Sequence, residues 1–408
     1  MKKLKRSRGI IPKTLTIELP FSKSESNRLL IAQAISNNSF EIENLSEAED
    51  TLLLQAALES KENTINVGMA GTAFRFLTAY YSTQGNQSIV LTGAARMKQR
   101  PIGILVDALR KLGASISYLE QEGFPPLEIH GKKLKGGKLK VDGGVSSQFI
   151  SALLLIAPSL ETPLHLEIQN LVSKPYVNLT LNILNSLGIK LQQKENSIVV
   201  EPSTYRIEIE NKIEVGKDWS SAAFFYQLMA FSDLESMLLK GLRLDSFQGD
   251  KALVNIYESF GISSVFNKDG VVLKRNLPIQ EQLEFNLIDC PDLIPSVAVT
   301  AAILAKKCLI KGVTTLRIKE SNRVEALQNE LLKFNAQLEE LGENEVFIHQ
   351  SVQLPQKVRF KTYKDHRMAM CLAPLSALIE EVEIEEPEVV EKSFPNYWRE
   401  LERYLSYD

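Results

Sequence analysis

The sequence predicts an α/β fold built from duplicated units and divided into two similar domains. One observation behind this is a pattern that recurs four times: an amphipathic helix, a glycine or asparagine stop, a strand, a tight turn and a second strand. Its spacing is even, with stops at Gly113, Gly188, Gly261 and Asn335, about 75 residues apart. In addition, segments 19–21 and 215–218 read as crossings between domains. Residues 21–217 would then form one domain, and residues 1–20 would rejoin 218–408 in the other. A double crossover of this kind encloses a cleft, a common place for a ligand site.

The chain has 408 residues, 44% hydrophobic and 24% charged, enough to bury a large core in two or three domains. Its net charge of -3 leaves no global basic field, which argues against nucleic acid and favours anionic small molecules in a locally positive cleft. The basic start, Lys2, Lys3, Lys5, Arg6 and Arg8, leads into Gly9-Ile10-Ile11-Pro12 and not into a long apolar run. No secretory signal, membrane span or membrane partner is expected, and the location expected is cytoplasmic. Cys290, Cys308 and Cys371 lack metal-type spacing and read as buried, reduced thiols. The four histidines form no cluster, so no metal site is expected.

Along the chain, Ser22-Lys23-Ser24-Glu25-Ser26-Asn27-Arg28 runs into the apolar periodicity of Leu29, Leu30, Ile31, Ala34 and Ile35. Two cations and three hydroxyls at a helix start outline an anion site, because free N–H groups and the helix dipole already favour negative charge there. An ordinary Ser N-cap with solvated Lys and Arg is the competing reading. Strand 64–67 leads through the glycine-rich turn 68–75 to a second helix start, where the backbone can approach a ligand. The cationic run 96–100 follows, and Pro101 suits position N1 of the next helix. That helix stops at Gly113 and is followed by strands 116–118 and 127–129.

Ser146, Ser147 and Gln148 stand at the head of helix 149–156, suited to phosphate oxygens, and Ser173-Lys174-Pro175-Tyr176 adds hydroxyls in a turn. Helix 181–187 stops at Gly188 before strands 189–191 and 198–200, and a helix begins near Ser220. Helix 253–260 stops at Gly261, with strands around Val265 and 271–273. Asp292 precedes an apolar helix, where N-capping competes with a catalytic role. Residues 317–323 place alternating charges at another helix start, with Glu320 a candidate acid or base between cations. Helix 324–334 stops at Asn335, ahead of strands near Leu338 and at 346–348. Residues 363–370 again put cations before an apolar helix, and Lys392 closes the series.

At least five helix starts, spread over both halves, carry Arg, Lys or Ser pairs. Physical chemistry alone takes this to a two-domain binder or transferase for phosphorylated, carboxylated small molecules.

At these residues the chain resembles the 5-enolpyruvylshikimate-3-phosphate synthase family over nearly its whole length. The matching stretches are 22–28, 71–73, 96–102, 146–148, 173–176, Lys319-Glu320 with Arg323, and 365–370. The resemblance implies two inverse α/β domains, each of three βαβαββ-type units joined by a double-crossover hinge. It implies a monomer that needs no cofactor. The implied reaction transfers the enolpyruvyl group of phosphoenolpyruvate to the 5-hydroxyl of shikimate-3-phosphate by addition and elimination.

Carried over by position, Lys23, Gly71, Arg100, Gln148, Arg323, His366, Arg367 and Lys392 would hold phosphoenolpyruvate. Shikimate-3-phosphate would fall to Lys23, Ser24, Arg28, Ser146, Ser147, Gln148, Ser173, Tyr176, Asp292 and Lys319. Asp292 and Glu320 would be the proton acceptor and donor, with Lys23 as their electrostatic partner. The first domain would serve mainly shikimate-3-phosphate and the second mainly phosphoenolpyruvate.

Many relatives have the catalytic Asp directly after the Ile-Pro pair, where this chain has Ser296; Asp292 matches its placement in other members. Met69, Phe76 and Thr315 also depart from the usual residues, and the first two bear on phosphoenolpyruvate affinity and glyphosate sensitivity. Two alternatives remain. One is the enolpyruvyl transferase acting on UDP-N-acetylglucosamine, which uses a Cys in its first domain, whereas all three cysteines here lie after residue 217. The other is a hinged, non-catalytic binding protein for phosphorylated metabolites.

Overall fold

Four stretches of the chain fold to one pattern of strand, helix, strand, helix and hairpin, and each closes a four-stranded sheet. The computed structural model describes residues 1–6, 13–85, 87–205, 212–350 and 352–405; Arg8 and the segment 9–12 lie outside the described residues. The chain forms two compact units, Phe21–Val215 and Met1–Pro20 with Gly216–Asp408.

In the unit Phe21–Val215, the first pattern comprises strands Thr64–Asn66, Ser88–Thr92, Ser115–Tyr118 and Leu127–His130. Their order across the sheet is first, second, fourth, third. Ile65 lies beside Leu91 in the parallel pair, and Leu91 faces Leu127 in the antiparallel one. A parallel pair requires a crossover, which the helix Gly71–Thr83 supplies, whereas the last two strands need only a turn. Strands Gly137–Asp142, Leu164–Gln169, Leu191–Lys194 and Ser197–Val200 repeat that order.

The other unit holds two more copies. One is Gln282–Asn286, Lys307–Lys311, Gln337–Glu340 and Glu345–His349. The other starts with Thr14–Glu18, which runs parallel to Ser236–Lys240 with Leu15 beside Met237. All of Phe21–Val215 is inserted between those two strands. Two smaller sheets join distant segments: Glu41–Glu43 with Lys212–Glu214, and Lys2–Lys5 with Glu381–Ile384 and Lys357–Phe360.

The helix stops explain how each sheet is re-entered. Gly113, Gly188 and Asn335 have φ of 99°, 74° and 63°, the left-handed conformation that ends a helix. Gly261 corrects the sequence reading. The helix Leu253–Glu258 ends earlier, and Gly261, with φ 87°, sits inside strand Phe260–Asn267 at a register shift. A positive-φ glycine suits a β-bulge as well as a helix stop, and a Cβ here would lie 2.9 Å from the Leu277 carbonyl oxygen.

Other boundaries also move. The helix expected to begin at Pro101 starts at Gly103, and the one expected at Phe149 starts at Ser147, capped by the Ser146 hydroxyl. Residues 173–176 are no turn, since Lys174 opens the helix Lys174–Ser186. The helices Ser147–Ile156, Trp219–Phe231 and Ile294–Leu304 are buried on nearly every side and sit at the centres of their units. Each large side chain they bury, such as Phe149 or Phe225, contributes roughly 1.5–3 kcal/mol.

Candidate active site

In Phe21–Val215, one buried arginine ties three helices together near their starts. Arg28, on the helix Lys23–Ile35, donates from Nη1 to the Ser24 carbonyl at 2.7 Å and from Nε to Thr180 Oγ1 at 2.8 Å. Its Nη2 reaches Ser151 Oγ at 3.3 Å and the Tyr176 carbonyl at 3.1 Å. These bonds gather Ser24, the Ser146-Ser147 helix start and the Ser173-to-Tyr176 turn of helix. Burial lowers Arg28 to about 10, so it stays charged at neutral pH. Its hydrogen bonds go to neutral oxygens and its guanidinium lies over the face of Phe76 at 5.5 Å, while the charge of Glu25 acts on it from the same helix.

Gln148 links the next helix by donating from Nε2 to Thr72 Oγ1 at 3.1 Å. Thr72 follows Gly71, the first residue of the helix Gly71–Thr83, and Arg100 packs against that start. A Cβ at Gly71 would meet the Arg100 guanidinium and lie 2.9 Å from Arg75 Nη1, so a larger residue here would push the ends of the two arginines aside. Lys23 pairs with Asp50 at 3.0 Å, and one helical turn later Asn27 accepts from Thr51. Ser173 takes φ 55° just before its helix. Apart from Arg100, which follows the turn Met97–Gln99 and packs against Gly71, the predicted residues of this unit belong to four helix starts drawn together by Arg28 and Gln148. Arg96 and Lys98 stay out, bonding Gln99 and Glu120 on the surface.

In the other unit the charges interlock. Arg323, 1% exposed, opens the helix Arg323–Leu331 and contacts three carboxylates. Its Nε meets Asp365 Oδ2 at 2.8 Å, its Nη2 meets Glu320 Oε2 at 2.9 Å, and its Nη1 meets Asp292 Oδ1 at 3.3 Å. Arg367 Nη2 donates to Asp292 Oδ2 at 2.8 Å; Lys319 Nζ lies 4.0 Å from Asp292, and Lys392 Nζ 3.4 Å from Glu320. Asp365 caps the helix His366–Leu372 by accepting from Arg367 N, and it lies 3.7 Å from His366 Nδ1. Asp292 itself is not an N-cap, because it sits in the 3₁₀ turn Pro291–Leu293 ahead of the helix Ile294–Leu304. Burial pushes its carboxyl up, but Arg367, Lys319 and Arg323 outweigh that and hold it well below the usual range.

Two partners had no signal in the sequence. Asp50 looks like ordinary acid in the first turn of the helix Glu49–Glu59, and only the fold sets it against Lys23. Asp250 is buried, accepts from the Ser220 hydroxyl, and is raised to about 6 by burial and by the charge of Asp292. Ser296, at the position of the alternative Asp, has a buried Oγ with no hydrogen-bond partner among the described residues. The three thiols are buried, and burial raises each well above its ordinary value, to about 12 for Cys308. No helix among the described residues is long and apolar enough to cross a membrane.

Comparison with known proteins extends this geometry. The family model for EPSP synthase (3-phosphoshikimate 1-carboxyvinyltransferase) matches residues 54–401. A 3-phosphoshikimate 1-carboxyvinyltransferase of Bacteroides fragilis (strain YCH46) is 41% identical over 393 residues, covering 95% of this chain and 94% of the relative. The protein of the same name from Mannheimia haemolytica is 34% identical over 418 residues, covering 95% and 96%. Among solved structures, EPSP synthase from Acinetobacter baumannii superposes with a TM-score of 0.77 at 20% identity, covering 99% of this chain and 98% of that one, which speaks for the fold.

Proposed function

The chain belongs to the EPSP synthase family, and we propose how its residues carry the reaction of that family: transfer of the enolpyruvyl group of phosphoenolpyruvate to shikimate-3-phosphate. One observation carries the assignment of roles, namely that Arg323 is bonded to both Asp292 and Glu320. A single guanidinium thereby fixes a proton acceptor and a proton donor about one cation, as an addition followed by an elimination requires.

In the addition, the 5-hydroxyl oxygen of shikimate-3-phosphate attacks C2 of phosphoenolpyruvate. Asp292 takes the hydroxyl proton, and Glu320 delivers a proton to C3, making it a methyl group. In the elimination, the C2–O bond to phosphate breaks, the departing phosphate takes the proton from Asp292, and C3 returns a proton to Glu320, which forms the enol ether. Arg323, Arg367, Lys392, Arg100 and Lys23 stabilise the charge of the carboxylate and the departing phosphate. Arg28, Ser24, Ser146, Ser147, Gln148, Ser173, Tyr176 and Lys319 hold shikimate-3-phosphate. Arg28 suits that task as a buried cation set among neutral acceptors, since a bound phosphate supplies the opposite charge.

Asp292 is held ionised by Arg367, which keeps its proton affinity low. A substrate carboxylate that draws on Arg367 shares that cation and raises the proton affinity of Asp292, coupling the base to occupancy of the site. The chain acts as a monomer. The alternative acting on UDP-N-acetylglucosamine has no support from the cysteines, which are buried with raised thiols.

The decisive assay is phosphate release from phosphoenolpyruvate with and without shikimate-3-phosphate. Release that depends on shikimate-3-phosphate is expected. Tight binding of both ligands without release would favour the non-catalytic binder.

A further inference from the structure

Outside the charged cluster, one buried carboxylate has a place that packing alone does not explain. Glu330 lies seven residues after Arg323 on the same helix, so the two share a face about two turns, or roughly 10 Å, apart. Segment 361–365 runs along that face and is held at both ends. At its start, Glu330, 1% exposed, accepts from Lys361 N at 3.0 Å and from the Tyr363 hydroxyl at 2.8 Å. At its end, Asp365 binds Arg323 at 2.8 and 3.2 Å. Lys333 supplies the opposite charge for Glu330 at 2.6 Å and also donates to the Arg359 carbonyl at 2.8 Å.

Between the two anchors the backbone is strained. Tyr363 and Lys364 have φ of 54° and 56°, and two successive non-glycine residues in the left-handed region persist only where their surroundings enforce them. Thr362 adds to the restraint, bonding Glu386 through its hydroxyl and accepting from Asp365 N through its carbonyl. The strained pair leads directly into Asp365, His366 and Arg367, whose placement follows from where this segment ends.

We propose that Glu330 is a positioning residue for the reaction: it anchors the strained 361–364 segment so that Asp365 can grip Arg323 and Arg367 can reach Asp292. The inference rests on the functional reading above. Glu330 touches no reacting atom, and its effect passes through the backbone to the residues assigned to phosphoenolpyruvate.

The test is steady-state kinetics of wild type, Glu330→Gln, Tyr363→Phe and the double variant Glu330→Gln/Lys364→Gly. A Gln amide keeps one acceptor oxygen, so it can neither pair with Lys333 nor hold Lys361 N and the Tyr363 hydroxyl on separate oxygens, and the start of the segment is loosened. Glu330→Gln is expected to lower kcat/KM for phosphoenolpyruvate about tenfold, and Tyr363→Phe about threefold, with KM for shikimate-3-phosphate unchanged. Glycine adopts positive φ without a steric cost, so Lys364→Gly should restore at least half of the loss on a logarithmic scale. Packing damage alone would not be rescued by that substitution. Wild-type kcat/KM in Glu330→Gln, or an equal loss toward both substrates without glycine rescue, overturns the proposal. If Glu330→Gln does not fold, Tyr363→Phe decides: wild-type kcat/KM there overturns the proposal. A folded wild-type chain that releases no phosphate overturns the functional reading itself, and this inference with it.

Discussion

Arg367 holds Asp292 twice, donating from Nη2 to the side-chain carboxylate at 2.8 Å and from Nη1 to the main-chain carbonyl at 3.1 Å. The planar guanidinium makes the two bonds from two nitrogens held in one plane, a fixed fork that a lysine ammonium does not offer. Asp292 thus has the geometry expected of a positioned base, while Ser296, four residues on, has a buried hydroxyl that bonds to nothing among the described residues.

The pair gives the first prediction. Asp292→Asn should lower kcat by about 10²- to 10⁴-fold, the range for losing a positioned acid or base. Ser296→Ala should keep full activity and leave stability equal or raised by up to about 1 kcal/mol, since an unsatisfied buried hydroxyl is lost. Steady-state rates and urea midpoints of the two variants check this. Activity that depends on Ser296 and not on Asp292 would reverse the assignment.

The helix starts, the chemistry-bearing runs and the repeat were legible in the sequence, because capping serines, cations before apolar runs and positive-φ stops are local signals. Arg28 and Arg323 could be named from such runs. Which residues they bond could not be read: Thr180 lies 152 residues from Arg28, and Asp365 lies 42 from Arg323. Gly261 shows the limit of the local signal, since the same left-handed glycine serves a helix end and a bulge, and only the partner strand decides between them. Asp50 and Asp250 escaped notice because a lone acid near a helix start looks like dipole compensation until the fold sets a charge against it.

Lys23 and Asp50 form a pair whose side chains are 18% and 5% exposed. Lys23→Met therefore removes a cation assigned to both substrates and leaves a mostly buried carboxylate without its ammonium partner. Turnover should fall below detection, and unfolding free energy should drop by about 1–3 kcal/mol while the far-UV circular dichroism stays native. Turnover near the wild-type level would remove Lys23 from the machinery.

Glu320 is braced between Arg323 at 2.9 Å and Lys392 at 3.4 Å. Glu320→Gln keeps the shape and one acceptor but cannot deliver and recover a proton. The expected result is loss of turnover by at least about 10²-fold with little change in phosphoenolpyruvate affinity, measured by calorimetric titration. Retained turnover would assign the proton at C3 to another group. Affinity lost in step with rate would make Glu320 a binding residue.

Asp250 provides a prediction in pH. Burial, followed by the charge of Asp292, raises its carboxyl from 3.8 to about 6 in the folded chain. The folded state therefore holds this proton more tightly than the unfolded state, so the contribution of Asp250 to stability falls as pH rises from about 4 to about 6 and stays at its lowest above that. The difference between the two values corresponds to roughly 3 kcal/mol, an upper bound on the order of magnitude. Asp250→Asn keeps an acceptor for the Ser220 hydroxyl but carries no charge to bury. It should be more stable than wild type at pH 7.5, and that advantage should shrink through pH 6 and vanish near pH 4. Denaturant midpoints of both chains across this range measure it. A difference that stays constant with pH would mean that Asp250 does not change its protonation on folding, and a wild type more stable at pH 7.5 would mean that its charge is offset by its neighbours.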